Sequence, residues 1–131
     1  MKNFIFVVED DSDDLEMLRN AFSQIGWLKV MFFLSPTELL RMLTLWDKDN
    51  LPALLVIDYF MPQMSGDEFS ALLAKDMLHN KIPRVAWTQS PTGEMNEKLA
   101  ATGVTRVFTK PSTFSDYRLL AEEFVTLATQ Q

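Results

Sequence analysis

The densest run of chemically capable side chains lies near the start of the chain, where Glu9, Asp10, Asp11, Asp13, Asp14 and Glu16 put six acids into eight positions. The 131 residues carry 18 acids and 12 bases, a net charge of −6, so removing this run leaves 12 of each. All the net charge therefore sits in one segment, which favours a cation there and disfavours nucleic acid as a partner. The plainer reading of the same run is an acid-rich first helical turn, which suits the helix dipole. Elsewhere the chemistry is constrained by what is missing. With no cysteine and His79 as the lone histidine, disulfides, zinc-thiolate sites, thiol nucleophiles and His-rich metal cages are excluded, and Ser-His-Asp catalysis is disfavoured.

The elements that position these groups are legible as short apolar runs alternating with amphipathic ones. Phe4 to Val8 reads as a strand buried on both faces. Leu15, Leu18, Phe22 and Ile25 recur at helical spacing over residues 13–25, and Gly26 stops that helix. Val30 to Leu34 is a second strand, and Ser35-Pro36 opens a helix to about Trp46 with an N-cap serine and a first-turn proline. Asp47 to Asn50 reads as a polar loop. Pro52 to Asp58 is a third strand, followed by the turn-like Met61-Pro62-Gln63-Met64-Ser65-Gly66 and a helix carrying Phe69, Leu72, Leu73 and Met77. Pro83 to Thr88, a helix over 92–102, Val104 to Thr109 and a last helix over 114–129 complete five alternations of strand and helix.

Such alternation specifies a parallel sheet covered by helices on both faces, with right-handed crossovers and ligands at the carboxyl ends of the strands. Those ends carry Glu9-Asp10-Asp11, Asp58, Thr88 and Lys110. These carboxylates, a hydroxyl and an ammonium would converge on one edge, and without a cation the carboxylates would repel each other. Mg²⁺ fits, as a hard ion taking oxygen ligands at about 2.0–2.1 Å. An aspartate is also a covalent nucleophile towards phosphoryl groups, while a divalent ion and a lysine neutralise the transferring oxygens and Thr88 offers a hydrogen bond. Singly, each residue has a plain reading as loop aspartate, solvated turn, strand-end threonine or exposed lysine. Together those readings require four coincidences.

Four segments, Val7-Val8-Glu9-Asp10-Asp11, Val56-Ile57-Asp58 with the loop through Gly66, Val85-Ala86-Trp87-Thr88 and Phe108-Thr109-Lys110-Pro111, resemble the receiver domains of two-component response regulators. The resemblance spans essentially the whole chain and is strongest to the CheY-like, stand-alone single-domain type. It implies one receiver domain over 1–131 with a flavodoxin-like, doubly wound α/β fold of five parallel strands in order 2-1-3-4-5 and five helices. It further implies that Asp58 accepts a phosphoryl group from a sensor histidine kinase or a histidine phosphotransfer protein. Asp10, Asp58 and the Phe60 carbonyl would hold Mg²⁺, with Glu9 acting through water. Lys110 would pair with the phosphoryl group, aimed by a peptide bond into Pro111 that is often cis in the family. Thr88 would move towards the phosphoryl oxygen and couple it to the face of helix four, strand five and helix five.

The chain departs from that pattern at several positions. Glu9 stands where aspartate is more usual, and Phe60 and Ser90 occupy rim positions from which a lengthened phosphoryl lifetime is expected. Gln89 follows Thr88 where a small residue usually leaves room for the donor. Val107 stands where many receivers carry an aromatic rotor, with neighbouring Phe108 as the candidate substitute. The competing readings are a haloacid-dehalogenase-like phosphohydrolase, disfavoured by Phe60 where that family wants a second aspartate, and a phosphorylation-independent interaction module, kept alive by Gln89. No G-x-G-x-x-G or P-loop follows strand one.

No apolar run exceeds five residues, against the roughly 20 needed to span a bilayer, and the start is too short for a signal peptide. A cytoplasmic protein without membrane or nucleic-acid partners is expected. With no room after Thr129 for an output domain, signalling is expected through contact with an output protein or onward phosphoryl transfer, with homodimers possible through the helix-four to helix-five face. Activity beyond self-phosphorylation and slow autodephosphorylation is not expected. His79 reads as an ordinary helix-end residue, Phe22, Phe69, Leu120 and Phe124 as core, and Trp27, Trp46 and Trp87 lack the basic interleaving of nucleic-acid surfaces.

Overall fold

In the computed structural model, residues 3–45 and 49–130 are described. The expected helix end at Trp46 and the start of the loop at Asp47 fall outside them. Five strands, β1 (Ile5–Val8), β2 (Val30–Phe33), β3 (Leu54–Asp58), β4 (Arg84–Thr88) and β5 (Val107–Thr109), alternate with five helices. These are α1 (Ser12–Gln24), α2 (Pro36–Leu45), α3 (Gly66–Ala74), α4 (Gly93–Ala101) and α5 (Phe114–Thr129). All strand pairs are parallel, in the order β2-β1-β3-β4-β5. The flavodoxin-like expectation is met.

The unbroken apolar runs are explained by burial on both faces of the sheet. From β1, β3 and β4, Ile5, Val7, Val56, Val85 and Trp87 face α1 and α5, packing on Leu18, Phe22, Tyr117 and Phe124. The alternate residues Phe6, Val8, Leu55 and Ile57 face α2 and α3, against Leu39, Leu43, Phe69 and Leu73. A smaller cluster of Tyr59, Ala86, Leu99 and Val104 seats α4. Phe22, Phe69, Leu120 and Phe124 are core residues, as expected.

Local signals set the helix starts. The Asp11 carboxylate accepts from the Asp13 and Asp14 N–H groups at 2.9 and 3.0 Å, capping α1. Ser35 caps α2 by accepting from the Glu38 N–H at 3.2 Å, while the Glu38 carboxylate accepts from the Leu34 N–H at 3.0 Å. Ser65 and Glu68 form a reciprocal capping box at α3. Gly66 is required by space as well: a Cβ there would lie 2.9 Å from the Asp58 carbonyl oxygen, and its N–H donates to the Tyr59 carbonyl at 2.7 Å. The chain leaving β3 is thereby folded tightly back behind Asp58.

Some boundaries differ from expectation. α3 ends at Ala74 because the Asp76 carboxylate takes the Leu78 and His79 N–H groups at 2.8 and 2.9 Å and starts a new short turn, His79–Lys81. Met77 is therefore 89% exposed beyond the helix, and His79 is buried in that turn instead of closing α3. β5 begins only at Val107, since Val104 belongs to the packing under α4.

At the amino end of β4 lies a feature with no counterpart in the sequence reading. Arg84 is 3% exposed and has no ion-pair partner among the described residues. Its guanidinium donates to Ser70 Oγ at 2.7 Å, the Thr102 carbonyl at 2.7 Å and the Ile82 carbonyl at 3.1 Å. It joins α3, the end of α4 and the chain entering β4.

Candidate functional site

In-register parallel pairing brings the carboxyl ends of the strands to one edge: Val8 lies opposite Ile57, Asp58 opposite Trp87, and Thr88 opposite Thr109. Glu9, Asp58, Thr88 and Lys110 leave the sheet together there, with Asp10 beside them. They line an open cleft of about 350 Å³ whose rim includes Phe60, Gln89 and Ser90.

Lys110 is the centre of the arrangement. Its ammonium lies 2.5 Å from Glu9 Oε1, 2.9 Å from Asp14 Oδ2 and 3.3 Å from Asp58 Oδ1. The indole of Trp87 lies beneath it, 5.0 Å from ring centroid to Nζ. Every described peptide bond is trans, including the one into Pro111. The lysine is aimed instead by its own backbone, whose N–H donates to the Thr88 carbonyl at 2.8 Å.

Glu9 is fully buried and Asp58 nearly so. Burial holds both carboxyl groups above their ordinary range, and the charge of Asp58 raises Glu9 further while Lys110 opposes the shift. Burial lowers the Lys110 ammonium, but the hydrogen bonds to Glu9 and Asp14 and the charges of Asp58 and Glu9 outweigh it, leaving the group above its ordinary value. One ammonium among so many carboxylates leaves a demand for positive charge.

The donor set suits a hard divalent ion. Carboxylate oxygens of Glu9, Asp10 and Asp58 lie within 4.8 Å of one another, with no nitrogen or sulfur donor among them. Thr88 Oγ1 is buried with no hydrogen-bond partner among the described residues, so a donor is held ready at the floor of the cleft.

The expected residues thus converge, but two others were not anticipated. Asp14, in the first turn of α1, completes the cage around Lys110, and Tyr117 Oη lies 3.5 Å from Asp14 Oδ1. Burial and the Asp14 charge push the Tyr117 hydroxyl up to about 12. No local spacing singles out Asp14 from the other acids of its run, since Asp10 precedes the Asp11 cap and lies outside α1. Asp11, in contrast, is spent on its helix cap. Phe108 does not replace the missing aromatic at Val107: it is buried on the α1 and α5 side against Phe124, at 5.1 Å between centroids. Val107 faces α4, because successive strand residues point to opposite faces.

The response regulator receiver domain family matches residues 5–122, and the chain belongs to it. It is 32% identical over 130 residues to nodulation protein W of Bradyrhizobium diazoefficiens, covering 99% of this chain and 52% of that protein. The chain thus spans about half the length of that curated relative. Among solved structures, the phosphorylated cyanobacterial phytochrome response regulator RcpA matches with a TM-score of 0.84 at 19% identity, over 99% of this chain and 96% of the other. The Mn²⁺-bound form of response regulator Rcp1 gives 0.81 at 17% identity over 98% and 95%. CheY4 of Vibrio cholerae gives 0.77 at 19% identity over 95% and 99%. At these identities the structures establish the fold. No described helix is long and apolar enough to cross a membrane.

Proposed function

We propose that this receiver accepts a phosphoryl group on Asp58, from a sensor histidine kinase or a histidine phosphotransfer protein, in a Mg²⁺-dependent reaction. The observation that carries the reading is the position of Lys110 Nζ, 3.3 Å from Asp58 Oδ1, beside a buried hydroxyl at Thr88 that has no partner.

An Asp58 carboxylate oxygen attacks phosphorus, and the bond from phosphorus to the donor breaks with its electrons leaving on the donor. Lys110 opposes the charge on the phosphoryl oxygens, and Thr88 Oγ1 donates to one of them. Asp10, Asp58 and the Phe60 carbonyl are assigned to Mg²⁺, with Glu9 acting through water. The ion supplies the positive charge that lets neighbouring carboxylates ionise and shields the incoming phosphoryl group.

Phosphorylation replaces one charge on Asp58 with nearly two and adds acceptor oxygens. Movement of Thr88 towards them would pull on the loop entering α4 and bias the packing of α4, β5 and α5. We assign the outgoing signal to that face, through an output protein, a second copy of the chain or onward phosphoryl transfer. The cytoplasmic reading belongs to the same proposal.

The test is intact mass after incubation with Mg²⁺ and acetyl phosphate, beside Asp58→Asn and a metal-free control. One added phosphoryl group in the wild type alone is expected. Exposed Gln89 on the rim of the cleft favours one second reading, a phosphorylation-independent interaction module. No adduct with acetyl phosphate, with Gln89→Ala or with a phosphohistidine donor would select it.

A further inference from the structure

We infer that Asp14 is a positioning residue for Lys110, holding the ammonium at Asp58 during phosphoryl uptake; this rests on the reading of Asp58 as the phosphoacceptor.

An ammonium has three N–H donors, and Lys110 faces three carboxylates, at 2.5 Å from Glu9, 2.9 Å from Asp14 and 3.3 Å from Asp58. These acids are not equivalent. Oxygens of Glu9 and Asp58 belong to the group that lies within 4.8 Å and suits a divalent ion, whereas Asp14 stands outside it. A cation drawing on Glu9 and Asp58 therefore competes with their hold on Lys110. Asp14 is the anionic anchor left to it.

The structure builds this anchor from three elements. Asp14 sits in the first turn of α1, where its backbone N–H is fixed by the Asp11 cap at 3.0 Å. Its second oxygen faces Tyr117 Oη at 3.5 Å, a hydroxyl brought in by α5. Tyr117 in turn packs edge-on against Trp87, at 6.3 Å between centroids, and the Trp87 ring lies under the ammonium. A lysine has four methylenes of free rotation, so without this contact the charge would sample the cleft instead of one side of the phosphoryl group.

The acid-rich first turn thus has two kinds of member. Asp13 is exposed and has no such contact with Lys110, as a solvated dipole-matching acid should be, whereas the Asp14 side chain is only 17% exposed. Helix-dipole matching alone does not require that burial.

The experiment follows acetyl phosphate uptake by intact mass in Mg²⁺. Asp58 gains a bond to phosphorus, and acetate leaves with the electrons of the broken bond. Asp14→Asn is expected to slow uptake about ten-fold, in line with the cost of misplacing a catalytic group. Asp14→Glu, which keeps the charge, should recover part of the rate. Placed on Lys110→Ala, Asp14→Asn should add nothing further, because the residue acts through the lysine. As a readout independent of phosphorylation, the Lys110 ammonium signal in ¹⁵N-detected spectra should be protected from exchange in the wild type and lost in Asp14→Asn. An unchanged rate, an equal loss in both backgrounds or an unaltered ammonium signal overturns the inference. A chain that takes up no phosphoryl group from acetyl phosphate, with Gln89→Ala or from a phosphohistidine donor overturns the Asp58 reading itself, and the inference with it.

Discussion

Lys110 and Thr88 are joined through the backbone: the Lys110 N–H donates to the Thr88 carbonyl oxygen at 2.8 Å. The Lys110 ammonium and the Thr88 hydroxyl, which has no partner among the described residues, therefore ride on a single link between β5 and β4. A displacement of either strand end is transmitted to both groups that would touch a phosphoryl oxygen. Because Val107, paired with Ala86 across the same strands, offers no large side chain towards α4, this link would, on the proposed reading, carry a change at the site to the face of α4, β5 and α5.

Thr88 should be dispensable for folding. Its hydroxyl is buried without a partner, so the near-isosteric Thr88→Val exchanges an unsatisfied polar atom for a methyl group. Urea unfolding is expected to show unchanged or increased stability, by up to about 1 kcal/mol. Acetyl phosphate uptake should continue more slowly, and chemical-shift changes on α4 and β5 after phosphorylation should shrink. A clear loss of stability would mean that the hydroxyl has a structural partner.

The pH dependence of stability should carry an unusual sign. Burial raises Asp58 and Glu9 above their ordinary values, so the folded metal-free protein holds protons that the unfolded chain gives up. This stabilisation is complete below the unfolded carboxylate range and is lost as pH rises through the raised folded values. Urea unfolding without metal should therefore give lower stability at pH 9 than at pH 7. Asp58→Asn should flatten the trend and stabilise the metal-free protein at the upper end. Stabilisation by Mg²⁺ should grow with pH, since its ligands must be deprotonated. A metal-free protein equally stable at both pH values would contradict the electrostatics of the cleft.

Gly66 couples the loop after β3 to the site. A Cβ at this residue would meet backbone atoms, the Asp58 carbonyl oxygen at 2.9 Å and Tyr59 Cα at 3.0 Å, which have no side-chain freedom with which to yield. Gly66→Ala is expected to cost about 1–3 kcal/mol, as overpacking does, and to weaken Mg²⁺ binding measured by Trp fluorescence or calorimetry. Loss of stability with unaltered Mg²⁺ affinity would show that the loop moves without carrying Asp58.

The legible parts of this molecule are those in which one residue meets a local rule. Uninterrupted apolar runs gave β1 and β3, the turn-like Met61 to Gly66 stretch gave the start of α3, and the polar residue ending each run gave Asp58 and Thr88. What escaped depends on partners distant in the chain. Asp14 reads as one more acid of a helical first turn until Lys110, 96 residues later, is seen beside it. Phe108, the candidate stand-in for an aromatic at Val107, lies on the other side of the sheet. In a strand of three residues the alternation of faces is too short to read, although it places the two side chains on opposite sides of the sheet. The peptide bond into Pro111 is trans, and its isomer is set by surroundings no local pattern reports.

Arg84 gives the complementary case, a residue whose loss should damage the fold and spare the site. A buried guanidinium with no ion-pair partner among the described residues is costly, and it is retained here by hydrogen bonds to Ser70 Oγ and to the Thr102 and Ile82 carbonyls. Burial alone lowers its hold on the proton, but an arginine stays charged throughout the accessible range. Arg84→Met keeps the stem and strands those acceptors, and charge-assisted hydrogen bonds of this kind are worth about 1.5–3 kcal/mol each. Urea unfolding is expected to lose at least that much, with Arg84→Lys rescuing little, because an ammonium cannot reproduce the planar fork. Arg84 stands at the amino end of β4 and Thr88 at its carboxyl end, so Mg²⁺ affinity and acetyl phosphate uptake by the folded fraction should remain near wild type. Hydrogen exchange should rise in α3 and at the end of α4 while β1 and β3 stay protected. A variant as stable as the wild type would mean that water satisfies the stranded carbonyls, and a loss of uptake in the folded fraction would mean that the two ends of β4 are coupled.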